Sequence, residues 1–295
     1  MKKMLLLVAA LFLLLSTAIN SEADNDGSPG AGGPAGKTIV ICGSGDSQNL
    51  LRHLAAAYEQ FHPDVSIDVQ DSIGSSGGIK ATAAGKCDLG RVARPLVARP
   101  LKEKEQRLNL SYLLFADSPV VFVVNSSVTG ITSITGPQVA GIFAGVITHW
   151  SELGGPHEKI YVANREKGDS SRSIIEEYIP AFNDIDKPVG QILYTTQENV
   201  AAISRYKYTI GYASLAGAKN QPNIVVLQLN HVSPTRENVA KGAYKLVAPF
   251  ALVWKDKPAQ QVKDFIDFLL SPAAEKIMAG NGTFSVLSGR RDDRP

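Results

Sequence analysis

Gly43-Ser44-Gly45-Asp46-Ser47, Gly74-Ser75-Ser76-Gly77-Gly78 and Gly168-Asp169-Ser170-Ser171 share one make-up, small hydroxyls set among glycines. Where such a run follows a strand and opens a helix, it leaves backbone N–H groups unpaired at a positive helix end. Glycine lets the backbone approach closely, hydroxyls donate hydrogen bonds, and the combination suits an anion. One run carries little weight, because Gly and Ser are also ordinary turn and N-cap residues. Three of them favour a converging site. Arg165 ends the segment Ile160 to Asn164, directly upstream of the third run. A guanidinium there can make a paired, charge-assisted contact with an oxyanion. The alternative for Arg165 is a surface pair with Glu166.

A hydrolytic reading of the first run fails on its partners. Gly45-Asp46-Ser47 after an apolar strand resembles the nucleophile block of the Gly-Asp-Ser-Leu esterases. Such a serine needs a C-terminal histidine, usually in an Asp-x-x-His arrangement, to activate it. His231 is the one histidine in the C-terminal third, and Gln228-Leu229-Asn230 precedes it. His53, His62, His149 and His157 show no metal-ligand spacing. The chain therefore reads as a binding protein, not an enzyme, with no metal and no cofactor.

The elements that hold the three runs alternate between strand and helix. Thr38 to Cys42 is a continuous apolar run, as in a buried parallel strand. A helix is predicted from about Asn49 to Gln60, with Leu50, Leu51, Leu54 and Tyr58 on one face. Val65 to Val69 alternates as a strand, the second run opens a helix at Ile79, and Cys87 to Val92 is a third strand. Such repetition predicts an α/β fold with a mostly parallel sheet. Val120 to Asn125 reads as the strand that crosses into a second lobe. That lobe holds helices at Gly136 to Ala144 and Ser171 to about Ile179, and strands at Lys159 to Ala163 and Thr209 to Ala213. Tyr244 to Val253 crosses back, and one last helix runs from Pro258 to Ala279. Lobe 1 is thus expected over 38–124 and 245–290, and lobe 2 over 125–244. Crossings near residues 125 and 244 make a hinge, and a hinge implies closure around a ligand.

The N-terminus reads as an export signal. Lys2 and Lys3 precede the apolar run Met4 to Leu15, and small residues follow with cleavage sites after Ala18 or Ala23. The run is too short for a membrane span, which takes about 20 residues. No Cys follows it, so a lipoprotein is not expected. A signal over residues 1–23 and a disordered leader over 24–37, rich in Gly, Pro and Ala, precede the folded part. The expected location is the periplasm. Formal charge is +2, no basic stripe tracks along a helix, and a nucleic-acid partner is excluded. Cys42 and Cys87 leave two readings open, a disulfide formed in an oxidising compartment or two buried free thiols.

Over residues 38 to 287 the chain resembles the substrate-binding proteins of phosphate-type ABC importers. The resemblance rests on Ile73 through Lys80, on Cys87-Asp88-Leu89-Gly90 with Arg94-Pro95-Leu96, and on Arg165 through Arg172. It continues in Ile210-Gly211-Tyr212-Ala213 and in Val232-Ser233-Pro234-Thr235 with Glu237-Asn238. What it implies is a two-lobed type II periplasmic-binding-protein fold, each lobe a mostly parallel sheet flanked by helices, with phosphate closed between them. It also implies a membrane permease as partner and a monomeric protein. The family's hydroxyls fall on Ser47 and Ser75, its anchoring arginine on Arg165, and its Ser-Gly-Thr on Asp169, Ser170 and Ser171. With Gln48, beside Ser47, these form the candidate ligand set.

Two positions depart from the family. Its well-known phosphate binders carry, five residues after the position of Asp88, an aspartate that accepts the proton of phosphate; here that position is Ala93. Asp169 is a carboxylate where the family has a hydroxyl. Either Asp169 compensates for Ala93 or it is an N-cap that points away. Molybdate, tungstate, sulfate or arsenate, and a sensory role, stay open beside phosphate transport.

Overall fold

The computed structural model describes residues 37–94, 105 and 107–286. The expected signal over 1–23, and the leader apart from Lys37, lie outside these residues; Lys37 already belongs to the first strand. Among the described residues no helix is long and apolar enough to cross a membrane.

The first half is built from β1 (Lys37–Gly43), α1 (Gln48–Glu59), β2 (Val65–Ser72), α2 (Gly74–Ala83) and β3 (Leu89–Val92). β1 pairs in parallel with β2 on one side and β3 on the other. α1 buries Leu50, Leu51, Leu54 and Tyr58, the stripe that its 3.6-residue period predicts. α2 starts at Gly74 instead of Ile79, so the second Gly-Ser run forms its first turn and does not precede it. Glycine is tolerated there because Gly78 packs on β1: a Cβ would lie 2.6 Å from the Cα of Gly43.

Strand β4 (Leu110–Asn125) is 16 residues long and begins well before the expected Val120. It pairs antiparallel with β11 (Val247–Lys255) over Leu110 to Pro119, then with β8 (Thr209–Ser214) over Val120 to Val124. One strand thus carries hydrogen bonding from the first half to the second. The return segment lies against the same point: Val120 N–H donates to Leu246 O at 2.8 Å, and the Tyr244 hydroxyl to Val120 O at 2.8 Å.

The second half contains β5 (Ser133–Ile134), α3 (Gly136–Phe143), β6 (Tyr161–Arg165), α4 (Ser170–Tyr178), α5 (Pro180–Asn183), β7 (Gln191–Leu193) and α6 (Thr196–Arg205). After β8 come α7 (Leu215–Ala218), β9 (Ile224–Val226), β10 (Gln228–Leu229) and α8 (Arg236–Ala240). Sheet order is β2-β1-β3-β11-β4-β8-β6-β7. The outer pairs β1–β2, β1–β3, β6–β8 and β6–β7 are parallel, and the strands around β4 are antiparallel. Phe122, Phe143, Phe182 and Tyr212 pack ring on ring beneath β6 and β8.

The expected last helix is two helices, α9 (Gln260–Leu269) and α10 (Pro272–Gly280), before the short β12 (Phe284–Ser285). Pro272 cannot donate into a continuing helix, and Ser271 Oγ caps the new one by accepting from Ala274 N–H at 3.2 Å.

Candidate anion-binding site

The turn after β1 has no room for a side chain at its start. Gly43 has φ of +130°, and a Cβ on it would lie 2.3 Å from Arg91 O. Cys42, the preceding residue, is disulfide-bonded to Cys87, with Cα atoms 6.1 Å apart. The turn then delivers Asp46, Ser47 and Gln48 to the N-terminus of α1, each about 1% exposed. Ser47 occupies the N-cap position without capping, and its Oγ has no partner among the described residues. Gln48 donates its amide to Asp71 Oδ1 at 3.1 Å, and its Oε1 is likewise unpartnered among the described residues. A buried hydroxyl and carbonyl without partners are costly unless something else meets them.

Helix N-termini from both halves face each other at this point. Ser75, in the first turn of α2, has its Oγ 2.9 Å from Ser170 Oγ in the first turn of α4. Asp46 Oδ2 accepts from Ser171 Oγ at 3.0 Å, and Asp46 Oδ1 from Thr196 Oγ1, at the start of α6, at 2.9 Å. Ser214 Oγ donates to Asp46 O at 2.8 Å, and Gln197 Nε2 to Gly45 O at 3.1 Å. The positive ends of α1, α2, α4 and α6 therefore converge. Ala93, where the family resemblance puts an acid, donates its N–H to Ser75 Oγ at 3.2 Å and is fully buried.

Arg165 is buried at the end of β6, and its guanidinium is held on several sides. Nη2 pairs with Asp169 Oδ2 at 2.8 Å and donates to Tyr194 O at 3.1 Å. Nε donates to Leu193 O at 2.9 Å, and Nη1 to Thr196 Oγ1 at 3.2 Å. Glu166 lies on its outer edge, Oε2 3.3 Å from Nε. Burial opposes the charge of Arg165, but Asp169, Asp46 and Glu166 together raise its pKa. Asp169 caps α4 through Oδ1, which accepts from Arg172 N–H at 2.9 Å, and it keeps Oδ2 on Arg165. It is a cap that faces the guanidinium. Burial pushes its carboxyl up to about 7, with Arg165 opposing and Asp46 and Glu166 adding. Both partners move upward for different reasons, Asp169 chiefly because it is desolvated and Arg165 because carboxylates surround it.

Of the seven candidate residues, Ser171, Arg165 and Asp169 are linked through Asp46 and Thr196, Ser75 and Ser170 meet each other directly, and Ser47 and Gln48 adjoin Asp46 in the first turn. The sequence analysis did not single out Asp46 and Thr196, which hydrogen-bond Ser171 and Arg165 into the cluster. Asp46 lies inside the first Gly-Ser run, but nothing in the sequence separates it from the hydroxyls around it. Thr196 follows Thr195, whose capping box with Glu198 marks a helix start visible in the sequence.

Relatives of known structure share this frame. A phosphate ABC transporter substrate-binding protein of Clostridium perfringens, solved with bound phosphate, aligns with TM-score 0.74 at 28% identity, over 85% of this chain and 100% of that one. An ABC-type phosphate transport receptor of Vibrio cholerae aligns with TM-score 0.59 at 27% identity, over 83% and 99%. Among curated proteins, the phosphate-binding protein PstS of Borreliella burgdorferi is 25% identical over 97% of this chain and 99% of its own length. PstS of Bacillus subtilis is 26% identical over 93% and 90%. Residues 28–273 match the PBP superfamily domain, and the chain belongs to that superfamily of two-lobed binding proteins.

Proposed function

We propose that this protein captures inorganic phosphate between its two halves and delivers it to the permease of an ABC importer. The proposed ligand groups are Ser47, Gln48, Ser75, Arg165, Asp169, Ser170 and Ser171. One observation carries the reading: four helix N-termini from both halves converge where Ser47 Oγ lies buried, without a partner among the described residues, and Arg165 supplies the cation. Relatives that cover nearly the whole chain are named phosphate-binding proteins, and one such structure holds phosphate. The protein is not assigned an enzymatic role.

The hinge in this reading lies where the chain passes between halves, at Pro119–Val120 and at Tyr244–Leu246. The described residues up to Pro119 and from Val247 onward move as one lobe against Val120–Leu246, a boundary a few residues before the expected one at 124 and 125. Export through a cleaved signal over residues 1–23 places the protein in the periplasm as a monomer that meets its permease at the membrane.

Calorimetry with phosphate, arsenate, sulfate and molybdate tests the ligand, and small-angle scattering with and without each anion tests closure. Phosphate should bind one per chain and shrink the particle. Binding and compaction by another oxyanion but not by phosphate would overturn the assignment.

A further inference from the structure

The cations and carboxylates buried around the site do not balance. Arg165 is the cation at its centre, and it faces Asp46 and Asp169, both buried, with Glu166 at its rim, one-third exposed. Among the described residues the other buried cation beside the first turn is Arg91 on β3, which donates Nη2 to Gly43 O at 3.2 Å and to Gln70 O at 2.9 Å and has Asp71 and Asp68, not Asp46 or Asp169, as its charge partners. Arg172, on α4, gives Nη1 to Arg165 O at the end of β6 at 2.8 Å and pairs through Nε with its own carboxylate, Glu176, at 2.7 Å. β8 contributes Tyr212, whose hydroxyl donates to Asn164 Oδ1 at 2.9 Å and accepts from Arg165 N–H at 3.2 Å. α6 contributes the neutral Thr196 and α2 the neutral Ser75. An oxyanion entering among these groups adds negative charge to an already acidic, water-poor cluster.

The two carboxylates belong to one hydrogen-bonded chain. Asp169 Oδ2 meets Arg165 Nη2, Arg165 Nη1 meets Thr196 Oγ1, and Thr196 Oγ1 donates to Asp46 Oδ1. A charge placed on any member is felt by the others through a low-dielectric path.

From this geometry we propose that capture of the anion is coupled to uptake of one proton from solvent by the buried carboxylate pair Asp46–Asp169. The proton neutralises one carboxylate, so that Arg165 and the helix ends face the ligand with one competing charge fewer. Burial raises the pKa of Asp169 and so favours its protonated form. This inference rests on the proposed anion site and adds a proton to its stoichiometry. Binding then tightens as pH falls, by about tenfold per unit where free protein is deprotonated and the complex is not.

The test is titration of the full protein with inorganic phosphate at about pH 8, where free phosphate is mostly dianionic, in buffers of different ionisation enthalpy. Heat that varies with buffer reports the protons taken up. The parent should take up close to one. Asp169→Asn keeps a capping residue at α4 and should lose that uptake, with a flattened dependence of affinity on pH. Asp46→Asn, measured alongside, locates the proton if it rests on the other member of the pair. Loss of uptake in either variant supports the coupling. Zero uptake in the parent overturns it, as does full uptake in both variants, because the proton then sits on phosphate. If the parent binds no phosphate at all, the ligand assignment is what fails, and the same buffers with the anion that does bind decide the proton question.

Discussion

The turn after β1 is held by a covalent bond and by backbone contact, whereas the turn after β6 is held by charge. Cys42–Cys87 and the close approach of Gly43 to Arg91 and of Gly78 to Gly43 leave the first turn no alternative path. In the second half, Arg165 pairs with Asp169 while Arg172 grips Arg165 O and Glu176. Contacts of the first kind do not titrate; those of the second do. One half therefore offers hydroxyls and helix ends in fixed positions, and the other carries the charge that an anion must negotiate.

Removing the charged anchor should cost most. Arg165→Ala leaves Asp169 and Asp46 buried without their cation and takes the one guanidinium at the centre from the ligand. A loss of about 3–5 kcal/mol in phosphate binding is expected, since breaking a buried pair strands its partner. Titration calorimetry checks it, with circular dichroism as the control for folding. A loss no greater than that of a single hydroxyl would remove Arg165 from the site.

The covalent anchor comes next and should act on stability more than on binding. The disulfide closes a loop of 45 residues in sequence separation. Reduction, or Cys42→Ser with Cys87→Ser, should lower unfolding stability by about 2–4 kcal/mol. Urea titrations with and without reductant measure this. Phosphate affinity should fall far less than in Arg165→Ala, because β1 still pairs with β2 and β3 on both sides. Equal losses in binding would mean that the covalent half governs the site as strongly as the charged one.

What the sequence made visible follows the same division. Strand and helix periods located β1, α1, β2 and β8 to within a few residues, because each buries a regular stripe or run. Arg165 and the third run stood out by position alone. The long β4 was legible only from Val120 onward, since Leu110 to Leu114 are partly exposed and pair with a strand over 120 residues away. The break at Pro272 was written in the sequence as Ser-Pro, but the apolar spacing on either side masked it. Asp46 could not be placed, because its partners Ser171, Thr196 and Ser214 are brought to it by tertiary contact between the halves. Cys pairing likewise depends on parallel neighbours, β1 beside β3, that no local pattern reveals.

A single neutral donor is a smaller perturbation than either anchor. Ser75→Ala removes the hydroxyl that accepts from Ala93 N–H and meets Ser170 Oγ across the halves. Phosphate binding should weaken by about 1–2 kcal/mol, the range for one neutral hydrogen bond with its partner left unsatisfied. The same titration series that measures Arg165→Ala gives the comparison. A reversal of the two magnitudes would place the weight of binding in the uncharged half.

The smallest effect is on the stability of the protein without ligand as pH changes, and its sign separates burial from ion pairing at Asp169. If attraction to Arg165 governed, Asp169 would sit below the usual carboxylate range and lend stability at neutral pH. Burial, reinforced by Asp46 and Glu166, instead raises it to about 7 from an ordinary value of 3.8. A group that holds its proton more tightly folded than unfolded contributes its full stability below the unfolded pKa and loses it as pH rises through the folded one. The contribution of Asp169 should therefore be complete below about pH 4 and gone above about pH 7. Glu152 slopes the opposite way, because backbone hydrogen bonds from Thr148 and His149 hold it low. The informative quantity is hence the difference between parent and Asp169→Asn, in urea midpoints taken across that window. The parent should lose stability relative to the variant as pH rises, since Asn caps α4 about as well and carries no charge to desolvate. Two parallel profiles would mean that Asp169 stays ionised throughout, held by Arg165, and that the charged half of the site titrates no more than the covalent one.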